Sequence, residues 1–345
     1  MSASHLQDAI KRLAAGESLT RDDTAAAFDV IMRGEATPAQ IAAVLMALRV
    51  KGETAAEVAG GAQALRTAMV HLPADGPDAL VDTCGTGGGR VPTFNISTAA
   101  ALLAAGAGVR VAKHGNRSFT SSCGSADVLE ALGVKIELSV EAMSRALEDA
   151  GIVFMFAPLM HPAMRHVGPV RRELGIATIM NILGPLANPA GAGRQVVGVA
   201  DESRMPLIAG ALAALGSVHA LVVYGEPGMD EISPVGETRM LEVRTGAVHR
   251  HSVVPQDFGL AAASTAELAG GDPQSNAYMI EEILTGRHRG GGRSAVLLNA
   301  AAALYVGGAA GTFQAGVERA AEALDAGAGM AALDRLRRAT NRAAA

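Results

Sequence analysis

Three short stretches of this 345-residue chain gather residue types that handle phosphate, metal or sugar. The first is VDTCGTGGGRVPTFNIST at 81–98, with Gly85, Gly87, Gly88 and Gly89 ahead of a Ser/Thr-ended motif. Glycine costs backbone entropy on folding, so the cluster implies a turn that something approaches closely. N–H groups of such a turn can surround phosphate oxygens, and the N-terminus of a following helix adds favourable field. A tight turn without a ligand has the same composition. The stretch is no Walker loop, since no Gly-Lys-Ser/Thr follows, and it is not a clean GxGxxG. The second stretch, KHGNRSFTSSCGS at 113–125, joins Lys113 and Arg117 to an imidazole, an amide and many hydroxyls. Cations and neutral donors together suit phosphate and ribose. The plainer alternative is a solvated polar loop. The third, YGEPGMDEIS, places Asp230 beside Glu231. Adjacent carboxylates can share magnesium, a hard cation that often bridges substrate phosphates; an exposed charge pair is the plainer reading. No zinc-ligand spacing and no GxSxG elbow is present, so serine acyl transfer has no support.

The elements that must position these stretches follow from capping and periodicity. Thr20 with Asp23, Thr37 with Gln40 and Thr54 with Glu57 read as helix starts, Pro38 taking the first helical position. Ile41, Val44, Leu45 and Leu48 recur at helical spacing. Residues 1–72 therefore form a small α-helical unit. From residue 78 the pattern alternates. ALVDTCG, VRVAKHG, VKIEL, IVFMFAP, RQVVGVA and HALVVYG read as strands, and helices fall over a segment capped near Ser97, over SADVLEALG, over Val140–Ala150 and around Pro206–Leu215. Such alternation implies an α/β fold with a mainly parallel central sheet flanked by helices, here over 73–345. The Pro- and Gly-punctuated span 161–193 either returns to the helical unit, which part of 165–195 would then join, or crosses the cleft. The C-terminal tail is helical by composition. In such a sheet, ligands collect where strands end and helices begin, and two of the three stretches lie at consecutive strand exits.

Composition narrows the partners. The net charge of −5 argues against a surface that coats a nucleic-acid backbone. Only Lys11, Lys51, Lys113 and Lys135 are lysines, so the one retained at 113 draws notice. The apolar runs are Ala/Gly mixtures broken by Arg or Asn, too weak to span a bilayer. The N-terminal residues lack the regions of a secretory signal, and Cys84 and Cys123 alone build no disulfide framework. The expectation is a cytoplasmic enzyme with neither membrane nor nucleic acid as partner.

In order along the chain, GTGG, NIST, KHGNR, GSADVLEALG, HPAM, NILGPLANP, MDEIS, GGDPQSNA and AVLLNAAAALYV closely resemble the anthranilate phosphoribosyltransferase family of tryptophan biosynthesis. The resemblance spans nearly the whole chain. It implies a homodimer paired through the helical domains, with the active site at the hinge between domains. Gly85, Gly88, Gly89, Thr93, Asn95, Ile96, Ser97 and Thr98 would then line the site for phosphoribosyl pyrophosphate (PRPP). Lys113, His114, Gly115, Asn116, Arg117, Ser118, Phe119, Thr120, Ser121 and Ser125 would wrap it. Ser97, Asp230 and Glu231 would hold Mg2+, as two ions. Gly85, Asn116, Arg171 and Gly184 would face anthranilate, with His114 and His161 nearby. Catalysis would be electrostatic, through Lys113, Arg117 and magnesium, with no dedicated general base.

Three departures from the family pattern stand out. Gly89 occupies the usual Asp of GTGGD, Ser122-Cys123 replaces a Lys/Arg-Ser pair, and Pro92 enters a turn that usually carries glycine. The alternatives to this reading are a pyrimidine nucleoside phosphorylase of related fold and a non-catalytic paralogue that binds nucleic acid.

Overall fold

The computed structural model describes residues 2–118 and 122–342. Four helices open the chain: α1 (Ser2–Ala14), α2 (Arg21–Met32), α3 (Pro38–Lys51) and α4 (Ala55–Ala68). The expected caps are in place. Thr20 Oγ1 accepts from the Asp23 N–H, and Thr37 with Gln40 and Thr54 with Glu57 form reciprocal capping boxes. Each satisfies backbone donors that a helix start leaves unpaired.

The alternating part begins with β1 (Val81–Gly85), α5 (Ile96–Gly106), β2 (Val111–Gly115), α6 (Ser125–Ala131), α7 (Val140–Ala150) and β3 (Ile152–Phe156). Helices α8 (Ala157–Met160), α9 (Met164–Leu174) and α10 (Met180–Leu183) fill the punctuated span. Then come β4 (Arg194–Gly198), α11 (Met205–Ala214), β5 (His219–Gly225), β6 (Thr238–Arg244) and β7 (Ala247–Val253). Helices α12 (Pro273–Leu284), α13 (Gly291–Val306), α14 (Phe313–Asp325) and α15 (Ala328–Arg342) complete the described chain.

Among the described residues the sheet runs β3-β2-β1-β4-β5-β6-β7. The pairs from β3 to β5 are parallel, with Val81 opposite Val111 on one side and Arg194 on the other. Strands β6 and β7 add antiparallel. The chain leaves β1 toward β2 and β3, then returns at β4 on the other flank of β1. That reversal opens a crevice at the C-terminal ends of β1 and β4.

Alternation along the strands divides the interior in two. Val196, Leu221 and Val223 face a core built with α5, α12, α13, α14 and α15. Val197, Ala220 and Val222 face a second core, shared with α11 and the helical unit. Val167, Val170, Ile182 and Leu183 belong to this second core, so α9 and α10 pack with α2, α3 and α4.

Three local expectations are corrected. VKIEL is not a strand: Val134 and Ile136 are buried, yet the segment pairs with no described neighbour and hands the Lys135 N–H to Thr340 Oγ1. Period-two burial reports one covered face, which packing against α15 supplies without ladder hydrogen bonds. The β6–β7 hairpin has no counterpart in the sequence reading, because the wholly exposed Ala247–Ser252 of β7 has no apolar alternation to betray it. Helix α5 begins two residues earlier than a Ser97 cap would require, with Asn95 at the N-cap and Ser97 in the first turn.

Candidate active site

The glycine turn leaves β1 at the switch point. Gly87 and Gly88 have φ of 69° and 79°, a left-handed pair that side chains rarely tolerate. The turn's flanks are tied down, Thr86 N donating to Gly198 O and Arg90 N to Gly228 O, both at 2.9 Å. The Gly87 N–H donates to Asp230 Oδ2 at 3.0 Å. Among the described residues the N–H groups of Gly88 and Gly89 have no acceptor. Backbone donors left unpaired beside a crevice are what an incoming anion requires.

Asp230 reaches the turn because glycines leave it room. A Cβ on Gly85 would stand 2.7 Å from Asp230 Oδ2, one on Gly89 3.0 Å from Oδ1, and one on Gly198 would collide with the Asp230 carbonyl. Glu231 Oε1 accepts the Ser97 N–H at 3.1 Å, tying the pair to the first turn of α5. From behind, the Asn299 carboxamide both accepts from Ile232 N and donates to Ile232 O, each at 2.9 Å. Burial raises the pKa of both carboxyls, and for Glu231 the neighbouring Asp230 charge raises it further. Two mutually repelling carboxylates with the Ser97 hydroxyl form an all-oxygen set that suits a hard divalent cation. Among the described residues no larger His, Cys, Asp or Glu cluster surrounds them, so a cation here would take its further ligands from substrate or water.

Lys113 is buried on β2 beside this pair. Its Nζ donates to Thr83 O, with Thr83 Oγ1 at 3.4 Å and Ser97 Oγ at 3.3 Å. Among the described residues no carboxylate hydrogen-bonds it, while its charge acts on the buried Asp82 and Glu231 nearby. The next residue points the other way. His114 Nε2 lies 3.1 Å from His161 Nε2, and the Gly184 backbone stands within hydrogen-bond reach of the His114 ring. Burial drives the His114 pKa down to about 3 and that of His161 to about 4, so both rings are neutral near pH 7.

The polar loop is pinned at both ends. Ser125 Oγ donates to Asn116 O at 3.3 Å, and Asn116 Oδ1 accepts the Arg117 N–H at 2.8 Å. Arg117 is engaged elsewhere: it pairs with Asp127 at 2.9 Å and Glu130 at 2.5 Å and leans over the Phe156 ring. Two carboxylates already offset its charge. Cys123 Sγ donates to Asn95 Oδ1, Asn276 Nδ2 donates to the same oxygen, and Ser122 Oγ donates to Gly271 O. Phe119, Thr120 and Ser121 lie outside the described residues, while Ser118 and Gly115 flank the loop.

The remaining candidates divide. The side chains of Ile96 and Thr98 are buried in the core, so only their backbone could meet a ligand. Thr93 bridges Ala269 in antiparallel fashion. Arg171, in the last turn of α9, is half-buried, and its guanidinium has no hydrogen bond or ion pair with a described residue. Burial lowers its pKa, and no described carboxylate compensates it. A partly desolvated guanidinium without a partner is suited to grip a carboxylate. A cavity of about 350 Å³ opens elsewhere, beside Glu202, Met205, Arg239 and Arg250, and holds none of the candidates.

Sequence reasoning missed the supports. Asp82, Asn188, Asn276 and Asn299 are buried: Asp82 accepts the His114 N–H, Asn188 donates to Asp82, Asn276 donates to Asn95 Oδ1, and Asn299 holds the Ile232 backbone. The available signal was a polar residue inside an otherwise apolar strand or helix, as in ALVDTCG and VLLNAAAALYV.

Comparison with known proteins agrees with this geometry. Residues 77–330 match the Glycosyl transferase family, a/b domain, and residues 7–69 its helical bundle domain. An anthranilate phosphoribosyltransferase of Chloroflexus aggregans is 52% identical over 335 residues, covering 97% of each chain. The solved anthranilate phosphoribosyltransferase of Thermus thermophilus superposes with a TM-score of 0.91 at 42% identity, covering 97% of this chain and 99% of that one. The Saccharomyces cerevisiae enzyme in complex with PRPP and Mg gives 0.89 at 27% identity, covering 98% of both. The chain belongs to the anthranilate phosphoribosyltransferase family.

Proposed function

We propose that this chain transfers the 5-phosphoribosyl group of PRPP to the amine of anthranilate, releasing pyrophosphate, in the second step of tryptophan biosynthesis from chorismate. The carrying observation is local: the unpaired Gly88 and Gly89 N–H groups lie beside the Asp230–Glu231 pair at the switch point.

The reaction asks for charge stabilisation and positioning. Pyrophosphate leaves C1 of the ribose, positive charge develops on the sugar, and the aniline-type amine captures it. Gly88 and Gly89 offer N–H donors to the departing oxygens, and Lys113 adds a cation from below. Asp230, Glu231 and Ser97 would hold Mg2+, which when bound neutralises diphosphate charge. Gly85, Thr93, Asn95 and the backbone of Ile96 to Thr98 continue the PRPP wall, and the 115–118 segment with Ser125 flanks the ribose phosphate. Arg117 acts through the loop, because Asp127 and Glu130 hold its guanidinium. Arg171 takes the anthranilate carboxylate, with Asn116, Gly184 and the neutral rings of His114 and His161 around the acceptor. No residue is needed as a strong base, since the amine is a usable nucleophile before it loses its proton.

Residues 1–72 with part of 165–195, and 73–345, are proposed as the two bodies of a hinge that closes to exclude water. Packing of α9 and α10 with the helical unit supports that division. A homodimer through the helical unit, two Mg2+ ions and a cytoplasmic location complete the proposal. Exposed Val50 on α3 supports a covered helical face, and the thiols of Cys84 and Cys123 suit a reducing compartment. No described helix is long and apolar enough to cross a membrane.

The test follows anthranilate fluorescence when the purified chain meets PRPP across a magnesium titration. Loss of fluorescence that needs both establishes the reaction; no loss from folded protein at any magnesium level sinks it. Replacing Asp230 and Glu231 together by Ala should abolish metal-dependent turnover, and unchanged activity would reject the metal assignment.

A further inference from the structure

We infer that Asp82 and Asn188, two buried residues that touch neither substrate in the reading above, are the positioning pair of the acceptor side of the site. Asp82 lies on β1, under the site, and is fully buried. One of its carboxylate oxygens accepts the backbone N–H of His114 at 3.1 Å, and the other accepts from Asn188 Nδ2 at 2.8 Å. Asn188 follows the Gly184 turn. Its Nδ2 also donates to Ala112 O at 2.8 Å, and its Oδ1 accepts from Ala190 N at 2.9 Å and Ala192 N at 3.4 Å. Two side chains thus join β1, β2 and the 184–192 turn.

What hangs most directly on this junction is the imidazole cluster on the acceptor side, with Lys113 between the two gripped β2 residues. His114 faces His161 across 3.1 Å and has the Gly184 backbone against its ring, so the Asp82–Asn188 contact fixes both sides of that cluster. The PRPP and metal groups have further ties of their own: Lys113, whose charge also acts on Asp82, to Thr83 and Ser97, Glu231 to Ser97, and the 229–233 segment to Asn299. Disturbing Asp82 should therefore be felt on the anthranilate side first. A buried carboxylate in a strand is costly unless both oxygens are used, and here both are spent on positioning.

The donor and acceptor map is rigid. Asn188 cannot turn its amide over, because Nδ2 would then face the Ala190 and Ala192 N–H groups and Oδ1 would face Ala112 O. Asp82→Asn keeps an oxygen for His114 but sets one NH2 against another. Adding Asn188→Asp restores the match. The amide introduced at position 82 then donates to the acid introduced at position 188. That acid accepts from Ala190 and Ala192 and, kept neutral by burial, gives its proton to Ala112 O.

The inference rests on the transferase reading, and the experiment separates the two. Steady-state KM for each substrate and kcat are measured for the wild-type chain, Asp82→Asn, and Asp82→Asn/Asn188→Asp, with circular dichroism to score folding. A wild-type chain without PRPP-dependent anthranilate loss overturns the transferase reading and this inference with it. Given an active wild type, Asp82→Asn should raise the anthranilate KM about tenfold or more while the PRPP KM stays within about twofold. The double variant should recover most of that loss. Parallel rises in both KM values, or a fall in kcat alone, overturn the positioning role. Should Asp82→Asn not fold, the double variant decides. Folded with an anthranilate KM within about threefold of wild type, it supports the pair; unfolded, or folded with both KM values raised alike, it overturns it.

Discussion

The Nε2 atoms of His114 and His161 lie 3.1 Å apart, with ring centroids 4.8 Å apart and planes tilted by 54°. A single proton can sit between them, so one ring donates and the other accepts, and charging the accepting ring at its Nε2 forces two donors together. Both pKa values are depressed from an ordinary 6.5, to about 3 and about 4, chiefly by burial. The unfolded chain therefore binds protons that the folded chain refuses in the window from about 6.5 down to about 3, both rings refusing them down to about 4. Stability from this pair is fully present above that window and is lost as pH falls through it. His161→Gln should flatten the fall in urea midpoint between about pH 7 and pH 5; identical slopes in both proteins would reject the coupling.

Gly85 faces Asp230 with no room for a methyl group, a Cβ there standing 2.7 Å from Oδ2. Gly85→Ala should push the carboxylate off the Gly87 N–H and lower kcat/KM for PRPP by about tenfold or more. The anthranilate KM should move less. An alanine variant with wild-type PRPP kinetics would show that the turn tolerates displacement.

Gly89 stands where the family pattern carries Asp, and its Cβ direction leads to within 3.0 Å of Asp230 Oδ1. Gly89→Asp brings a third carboxylate to the pair. Manganese binding without substrate, followed by electron paramagnetic resonance, should strengthen severalfold, because added negative charge favours the cation. Weaker binding would mean that crowding of Asp230 outweighs the charge.

The Arg171 guanidinium has no protein partner among the described residues, so its loss should cost binding and little stability. Arg171→Met should raise the anthranilate KM about tenfold to a hundredfold with the PRPP KM nearly unchanged. Arg171→Lys should recover only part, because an ammonium lacks the planar fork. Equal effects on both substrates would place Arg171 elsewhere.

Thr37 caps α3 with Gln40 in a reciprocal box within the helical unit. Thr37→Ala should lower stability by about 1 kcal/mol and leave kcat untouched. A changed kcat would reveal that the helical unit transmits strain to the site.

Much of this protein was legible in the chain. Thr20, Thr37 and Thr54 announced three helices because a cap is a local hydrogen bond, and β5 was readable as HALVVYG because a strand buried on both faces is nearly all apolar. The chemistry-bearing stretches were legible because phosphate and metal sites need glycine, cations and carboxylates at short spacing. Tertiary structure decided which of those groups are free to act. Arg117 and Lys113 are both cations of one short stretch, yet Asp127 and Glu130 occupy the first while the second, on β2, reaches Thr83 and Ser97. Gly87 and Asp230 lie 143 positions apart in the chain, and no local pattern could join them. Nor could it show that Asp82 meets Asn188, since that contact depends on sheet order, which brings distant segments to one crevice through burial of apolar surface over the whole fold.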